Sequence, residues 1–226
     1  TTEIYTLSLH DALPISNQFR MVLTSFSIIL GSVLIGRLLL SKDRKASNKK
    51  NIEWSYYPVL ILSALLILFL KVLFLLFDQM DYEAFEMNTA ILCGAVIIGA
   101  INSAVSRNFV IDEKGRIGVL NNLTWLLAFI GFNFCFVPVW GSVGASTSFL
   151  LASLIQFLVW LPFCIRHHYF TWSVFNRTYF LTGLLFLLIC LSEFYLETNW
   201  LSILLFVLLA AETARYYGFI PKRIKK

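Results

Sequence analysis

The chain has 226 residues, of which 58% are hydrophobic and only 14% are charged, and its formal net charge is +5. A soluble globular domain carries about 25% charged residues, which it needs to cover its surface. The mean hydropathy of +0.77 therefore excludes an ordinary soluble domain. The excess apolar surface must face lipid, so we expect membrane lipids as partners and no nucleic acid.

Residues 1–16 are set apart from the remainder because residues 1–15 resemble one reading frame of a widely used sequencing adapter. Such segments are excluded from reasoning about the fold. The alternatives are a short N-terminal helix or a signal peptide, but the segment lacks the basic start and the longer apolar core that a signal peptide needs. We expect the native protein to occupy residues 17–226 and to be a fragment that lacks its own N-terminal part.

Seven apolar stretches follow, each long enough to cross a membrane as a helix. The hydrocarbon core is about 30 Å thick and requires roughly 20 apolar residues per helix. The stretches do not alternate between apolar and polar positions, as strands of a membrane barrel would. The pattern predicts an all-α, polytopic transmembrane bundle of seven helices. The predicted spans are residues 19–40, 56–77, 87–108, 117–138, 143–165, 178–196 and 200–219.

Among the connections between spans, lysine and arginine occur only in alternate ones. The second, fourth and sixth connections hold none, and the second carries four acidic residues instead. Because loops rich in Lys and Arg stay in the cytoplasm, we expect the odd-numbered connections and the C-terminus to be cytoplasmic. The first helix then starts outside. The basic residues concerned are Lys42, Arg44, Lys45, Lys49, Lys50, Lys114, Arg116, Arg166, Arg177, Lys222, Arg223, Lys225 and Lys226.

Small residues recur at steps of four on two of the predicted helices. Close packing through small residues replaces the hydrophobic drive that helices lose in lipid. We therefore expect the third and fifth spans to pack closely in a bundle, and the last two spans, which have few small residues, to be peripheral. The stripes are Ala95, Gly99 and Ser103, and Gly144, Ser148 and Ala152.

The most informative motif joins the fourth and fifth spans. Its members, in order, are Asn133, Pro138, Gly141, Gly144 and Ala145. This order resembles the polysaccharide flippase (Wzx-like) branch of the multidrug/oligosaccharidyl-lipid/polysaccharide exporter superfamily. Residues 81–84 and 101–107 are similar to further helix-end motifs of that branch. Trp140 and residues 146–148 depart from the usual pattern.

The resemblance implies the C-terminal half of a transporter in the bacterial cytoplasmic membrane. Such a protein moves lipid-linked oligosaccharide or polysaccharide precursors across the membrane by alternating access. The implied partners are the lipid-linked glycan and the N-terminal half of the same protein. The resemblance implies no cofactor and no catalysis.

A polar headgroup that crosses hydrocarbon needs cations and hydrogen-bonding groups within the membrane, where they are costly and usually functional. Arginine suits phosphate because its guanidinium forms paired, charge-assisted contacts. For the basic candidates the alternative is snorkelling to the headgroups, and for the amides it is hydrogen bonding between helices. The cavity candidates are Arg37, Lys71, Asn102, Arg107, Asn122, Asn133 and Gln156.

Other ionisable and sulfur-containing residues point to no further chemistry. The four cysteines, Cys93, Cys135, Cys164 and Cys190, are interpreted as small apolar residues, and we expect no metal site. Adjacent histidines at 167 and 168 are interpreted as interfacial cations. Glu212 and Arg215 are expected to pair, and Glu193 is expected to be solvated at the outer surface.

Two other functions remain open. One is an integral membrane enzyme of cell-surface glycan synthesis, such as a polymerase or an acyltransferase, which would place its chemistry on a large outer loop or a charged constellation at a helix end. The other is a multidrug exporter of the same superfamily, which would differ in substrate and not in fold.

Overall fold

The computed structural model describes residues 17–35, 44–74, 82–170, 177–195 and 199–217. Every regular element in these residues is an α-helix, and the first four helices are each long and apolar enough to cross a membrane. The predicted class, an all-α membrane bundle, is therefore confirmed. The elements are α1 (Asn17–Ile35), α2 (Arg44–Phe74), α3 (Tyr82–Ile111), α4 (Gly115–Arg166), α5 (Arg177–Tyr195) and α6 (Asn199–Tyr216).

Helix α4 reverses direction at one residue. Only Gly141 departs from helical backbone angles, with φ 55° and ψ −126°. Trp125 Nε1, before this glycine, donates to Ser153 Oγ, after it, at 3.3 Å. Further contacts join the two sides of Gly141, two of them toward the ends of α4 and one toward the glycine itself. The first arm (residues 115–140) and the second arm (residues 142–166) are therefore antiparallel. The described residues form six helical elements and not the predicted seven, because no separate loop divides the fourth and fifth predicted spans; these two spans correspond to the two arms of α4.

Helix α2 begins twelve residues earlier than predicted, so part of the predicted basic connection is helical. The reason is tertiary packing of polar residues. Asn51 Nδ2 donates to the Ala104 carbonyl of α3 at 2.8 Å, and the Tyr216 hydroxyl of α6 donates to Glu53. Both Asn51 and Glu53 are buried, although a hydropathy window counts them as surface residues.

The helices form two groups that share α2. Helix α3 packs between α2 and α4, whereas α5 and α6 pack on each other and on α2. The largest fully buried side chains include Tyr57, Phe85, Phe109 and Phe170. Apart from each other, the last two helices make their main contacts with α2 alone, as expected of peripheral helices.

Four chain segments meet at one end of the bundle, called here the basic end. Asn48 at the start of α2 donates to the His168 carbonyl at 3.2 Å, and Lys114 donates to the Tyr169 hydroxyl at 2.8 Å. The latter hydrogen bond raises the pKa of the Lys114 ammonium. The end of α6 reaches the same place through Glu53. The described parts of the odd-numbered connections therefore share one end of the bundle, as the alternation of charge predicts.

The two stripes of small residues behave differently. Ser148 and Ala152 of α4 are fully buried, and a Cβ added at Gly144 would overlap the Phe136 carbonyl. On α3, however, a Cβ added at Gly99 would meet nothing within 4 Å, and Ser103 is exposed. The expectation of close packing is wrong for Gly99 and Ser103, because they border a cavity.

Two predictions about acidic residues have opposite outcomes. Arg215 and Glu212 form the expected pair, with Nη1 and Oε1 3.3 Å apart. Glu193 is not solvated as expected but only 5% exposed. Helix α6 covers this part of α5, where the hydroxyls of Ser192 and Ser202 are 2.6 Å apart.

Candidate functional site

A cavity of about 300 Å³ lies between α1, α3 and the two arms of α4. It is called here the cationic cavity, because its described lining contains two arginines and no acidic residue. Hydroxyl and amide groups make up most of the remaining polar lining. The lining residues are Arg20, Thr24, Ser27, Ile28, Ala95, Val96, Gly99, Ala100, Asn102, Ser103, Ser106, Arg107, Asn122, Trp125, Phe149, Ser153 and Gln156.

Four of the predicted cavity residues meet here: Asn102, Arg107, Asn122 and Gln156. They come from three helical segments that are distant in sequence, so the fold brings them together. Arg37 lies outside the described residues, and Lys71 is placed on α2 without a described side chain. Asn133 is not among the described lining. It donates to the Phe129 carbonyl of its own helix at 2.7 Å.

Arg107 is held inside the bundle by α2. Its Nε donates to Asn51 Oδ1 at 3.1 Å, and its Nη2 donates to Ser55 Oγ. Helix α1 crosses directly beside it, since a Cβ added at Gly31 would lie 2.5 Å from Arg107 Nη1. The guanidinium is therefore anchored by neighbouring helices.

Arg20 is the second cation of the cavity, and the sequence analysis did not single it out. Its Nε donates to Asn17 Oδ1 at 2.6 Å, and its guanidinium lies over the Phe149 ring, 4.7 Å from the centroid. A signal was present in the sequence. Arg20 is a lone basic residue near the end of a span that the charge pattern places outside, where basic residues are disfavoured.

The two guanidiniums lie at opposite ends of the cavity. Arg20 and Gly31, the residue of α1 beside Arg107, are eleven positions apart. At 1.5 Å per residue this corresponds to about 16 Å along the helix. Charges in a low-dielectric region need compensation. The described lining therefore favours an anionic or strongly polar ligand.

The side-chain amides of Asn102 and Gln156 form hydrogen bonds that hold the wall of the cationic cavity together. Asn102 Nδ2 donates to Gln156 Oε1 at 2.9 Å and to the Ser153 carbonyl at 3.1 Å. Gln156 Nε2 donates to the Asn121 carbonyl at 3.1 Å. These bonds join α3 to both arms of α4, as the hydrogen-bonding alternative predicted. Asn122, by contrast, has an exposed side chain in the cavity.

A second cavity of about 580 Å³, called here the outer chamber, shares Arg20, Trp125 and Phe149 with the first. Ala145 of the predicted helix-turn motif also lines it. The lining of the outer chamber is largely apolar and includes aromatic rings. The cationic cavity therefore adjoins an aromatic region. Trp125 and Phe149 were missed by the sequence analysis, because aromatic residues in an apolar chain are ordinarily lipid-facing or core.

The helix-turn motif lies at the end of the site that is opposite the basic end. Gly141 supplies the reversal and Gly144 allows the close approach of the two arms. Asn88 of α3 then holds the start of the second arm, since Nδ2 donates to Ser142 Oγ at 3.1 Å and Oδ1 accepts from Ser146 Oγ at 2.9 Å. The hairpin is thereby fastened to α3. Pro138 lies in the first arm and is exposed.

No protein-family model matches the chain, and comparisons with curated proteins and with solved structures also find no match. The resemblance to polysaccharide flippases therefore stays a prediction based on the order of motifs. The geometry of the two cavities does not depend on that resemblance.

Proposed function

We propose that the protein is a flippase or exporter that moves lipid-linked oligosaccharide or polysaccharide precursors across the bacterial cytoplasmic membrane by alternating access. The observation that carries this proposal is the cationic cavity, which Arg20 and Arg107 line together with several hydroxyl and amide groups in a bundle of apolar helices. Cations among membrane-spanning helices are costly and usually mark a substrate pathway.

The chemistry of the lining fits a lipid-linked sugar. Such a molecule carries a phosphate or pyrophosphate, which a guanidinium binds through paired, charge-assisted hydrogen bonds. Its sugar hydroxyls require donors and acceptors, which Ser27, Ser103 and Asn122 provide in the same space. Ile28, another lining residue, is 66% exposed on the surface of α1. A lipid tail can therefore remain in the bilayer beside α1 while its headgroup occupies the cavity.

The proposal includes an orientation and a partner. The basic end faces the cytoplasm under the positive-inside rule, which places Arg107 near the cytoplasmic side and Arg20 near the outer side. Alternating access requires a second helical lobe that moves against this one. The functional test therefore uses a gene that encodes both lobes.

The test is complementation of a flippase-deficient bacterial strain. We expect Arg107→Ala to abolish export of the glycan, because the cavity loses its anchored cation. Arg116→Ala is the matched control, since Arg116 is exposed in the first turn of α4 and is not among the lining residues. Complementation by Arg107→Ala at the level of Arg116→Ala, with equal expression, would contradict the proposal.

A further inference from the structure

Trp125 stands where the cationic cavity and the outer chamber join, and it lines both. Three contacts hold its indole in place. The ring stacks on Phe129 with centroids 5.0 Å apart and planes 8° apart, it meets Phe149 at 72°, and its Nε1 donates to Ser153 at 3.3 Å. The orientation of the indole is therefore set before any ligand binds.

Only one face of this indole stacks on another aromatic ring among the described residues. Phe149 lies 5.2 Å from Trp125 and 5.8 Å from Phe129, measured between centroids. A ring on the far face of Trp125 would lie about twice as far from Phe129 as from Trp125. Phe149 is therefore beside the stack and not on top of it. Among the described aromatic residues, none covers the face of Trp125 that points away from Phe129.

Two polar side chains line the same cavity as this indole. Asn122 lies three residues earlier on the same arm, and its exposed amide shares the cavity with Trp125. The Arg20 guanidinium sits over Phe149, next to the stack. A saccharide ring matches this combination, because its C–H face is weakly positive and complements the negative face of an aromatic ring, while its hydroxyls bond to amides at its edge.

We infer that Trp125 is the stacking platform for the saccharide ring that adjoins the phosphate of the substrate, and that Asn122 binds the hydroxyls of that ring. This inference rests on the proposed function and deepens it by dividing the site. The arginines bind the phosphate, and the pair of Trp125 and Asn122 selects for a sugar attached to it.

The experiment is calorimetric titration of the detergent-solubilised full chain with three probes: glucose 1-phosphate, N-acetylglucosamine 1-phosphate and inorganic phosphate. We expect Trp125→Leu to weaken binding of the sugar phosphates about tenfold and to leave inorganic phosphate unchanged. Asn122→Ala, whose exposed side chain makes it a mild change, should weaken the sugar phosphates about threefold.

Trp140→Leu is the matched control. Trp140 stacks on Phe136 of the same arm at 5.0 Å and 5°, but it is 51% exposed and lines neither cavity among the described residues. We expect this variant to bind all three probes as the unmodified chain does.

The outcomes separate the two proposals. If the unmodified chain binds sugar phosphates and Trp125→Leu and Asn122→Ala bind them equally well, the platform is overturned while the anion site stands. The platform is also overturned if Trp125→Leu loses inorganic phosphate to the same extent, since that indicates a structural role. If the unmodified chain binds none of the probes, the anion site fails and the platform with it.

Discussion

Arg107 lies four residues from the C-terminal end of α3, where a long basic side chain ordinarily reaches the headgroups. Here neighbouring helices hold its guanidinium. Asn51 and Ser55 of α2 accept its hydrogen bonds, and Gly31 lets α1 pass close to its guanidinium. A cation that is held by neutral partners keeps its charge available for an anion. The role of Arg107 is therefore a property of three helices together.

The smallest residues of the cavity lining set its volume. A Cβ added at Gly99 would meet no atom within 4 Å, so a large side chain at this position can enter the cavity without disturbing its walls. We expect Gly99→Phe to abolish glycan export in the complementation assay and to leave the thermal stability of the purified protein unchanged.

Gly118→Phe provides the control for this prediction. Gly118 also has open space around its added Cβ, but it does not line the cationic cavity. Export by Gly99→Phe at the level of Gly118→Phe would show that the cavity does not carry the substrate.

The α4 hairpin is the element that creates the site. It places Trp125 of the first arm opposite Phe149 and Ser153 of the second. Trp160 Nε1 donates to Thr124 Oγ1 at 3.1 Å and extends the contact toward the basic end. Because a single glycine makes the turn, the two arms are close along their length. A longer loop would allow the arms to separate.

We expect Gly141→Ala to destabilise the protein by about 1–3 kcal/mol, since φ 55° with ψ −126° is a conformation that L-residues avoid. Thermal unfolding in detergent measures the effect. Gly131→Ala is the control, because Gly131 is helical and its added Cβ meets nothing within 4 Å. Equal midpoints for the two variants would mean that the reversal does not require glycine.

The bundle as a whole has two chemically different ends. The basic end collects the start of α2, the α3–α4 turn, the α4–α5 turn and the end of α6. The opposite end contains the reversal at Gly141 and the contacts of Asn88. The described helices alternate in direction between these ends, so the positive-inside rule predicts that the basic end faces the cytoplasm.

Labelling of single cysteines tests this orientation. In a variant without the native cysteines, we expect Trp140→Cys to react with a membrane-impermeant maleimide in intact cells. Asp112→Cys, in the turn at the basic end, should react only in inverted vesicles. Both positions are exposed. Labelling of both from the same side would refute the orientation.

The class of fold followed from the sequence because hydropathy is a property of each residue and adds along a segment. The same additivity explains the failures. Asn51 and Glu53 counted as loop residues, yet α3 and α6 bury them. The fourth connection counted as a loop between two helices, although Gly141 alone makes the reversal.

The candidate site divides in the same way. Asn102, Arg107, Asn122 and Gln156 were found because polar groups within apolar spans are individually conspicuous. Their convergence on one cavity was not predictable, since it depends on contacts between helices that are distant in the chain. The sequence by itself determined the apolar helices and the distribution of charge between the ends. Only the tertiary structure decided that Arg20, Arg107 and Trp125 line one space, because such relations exist between surfaces and not within a segment.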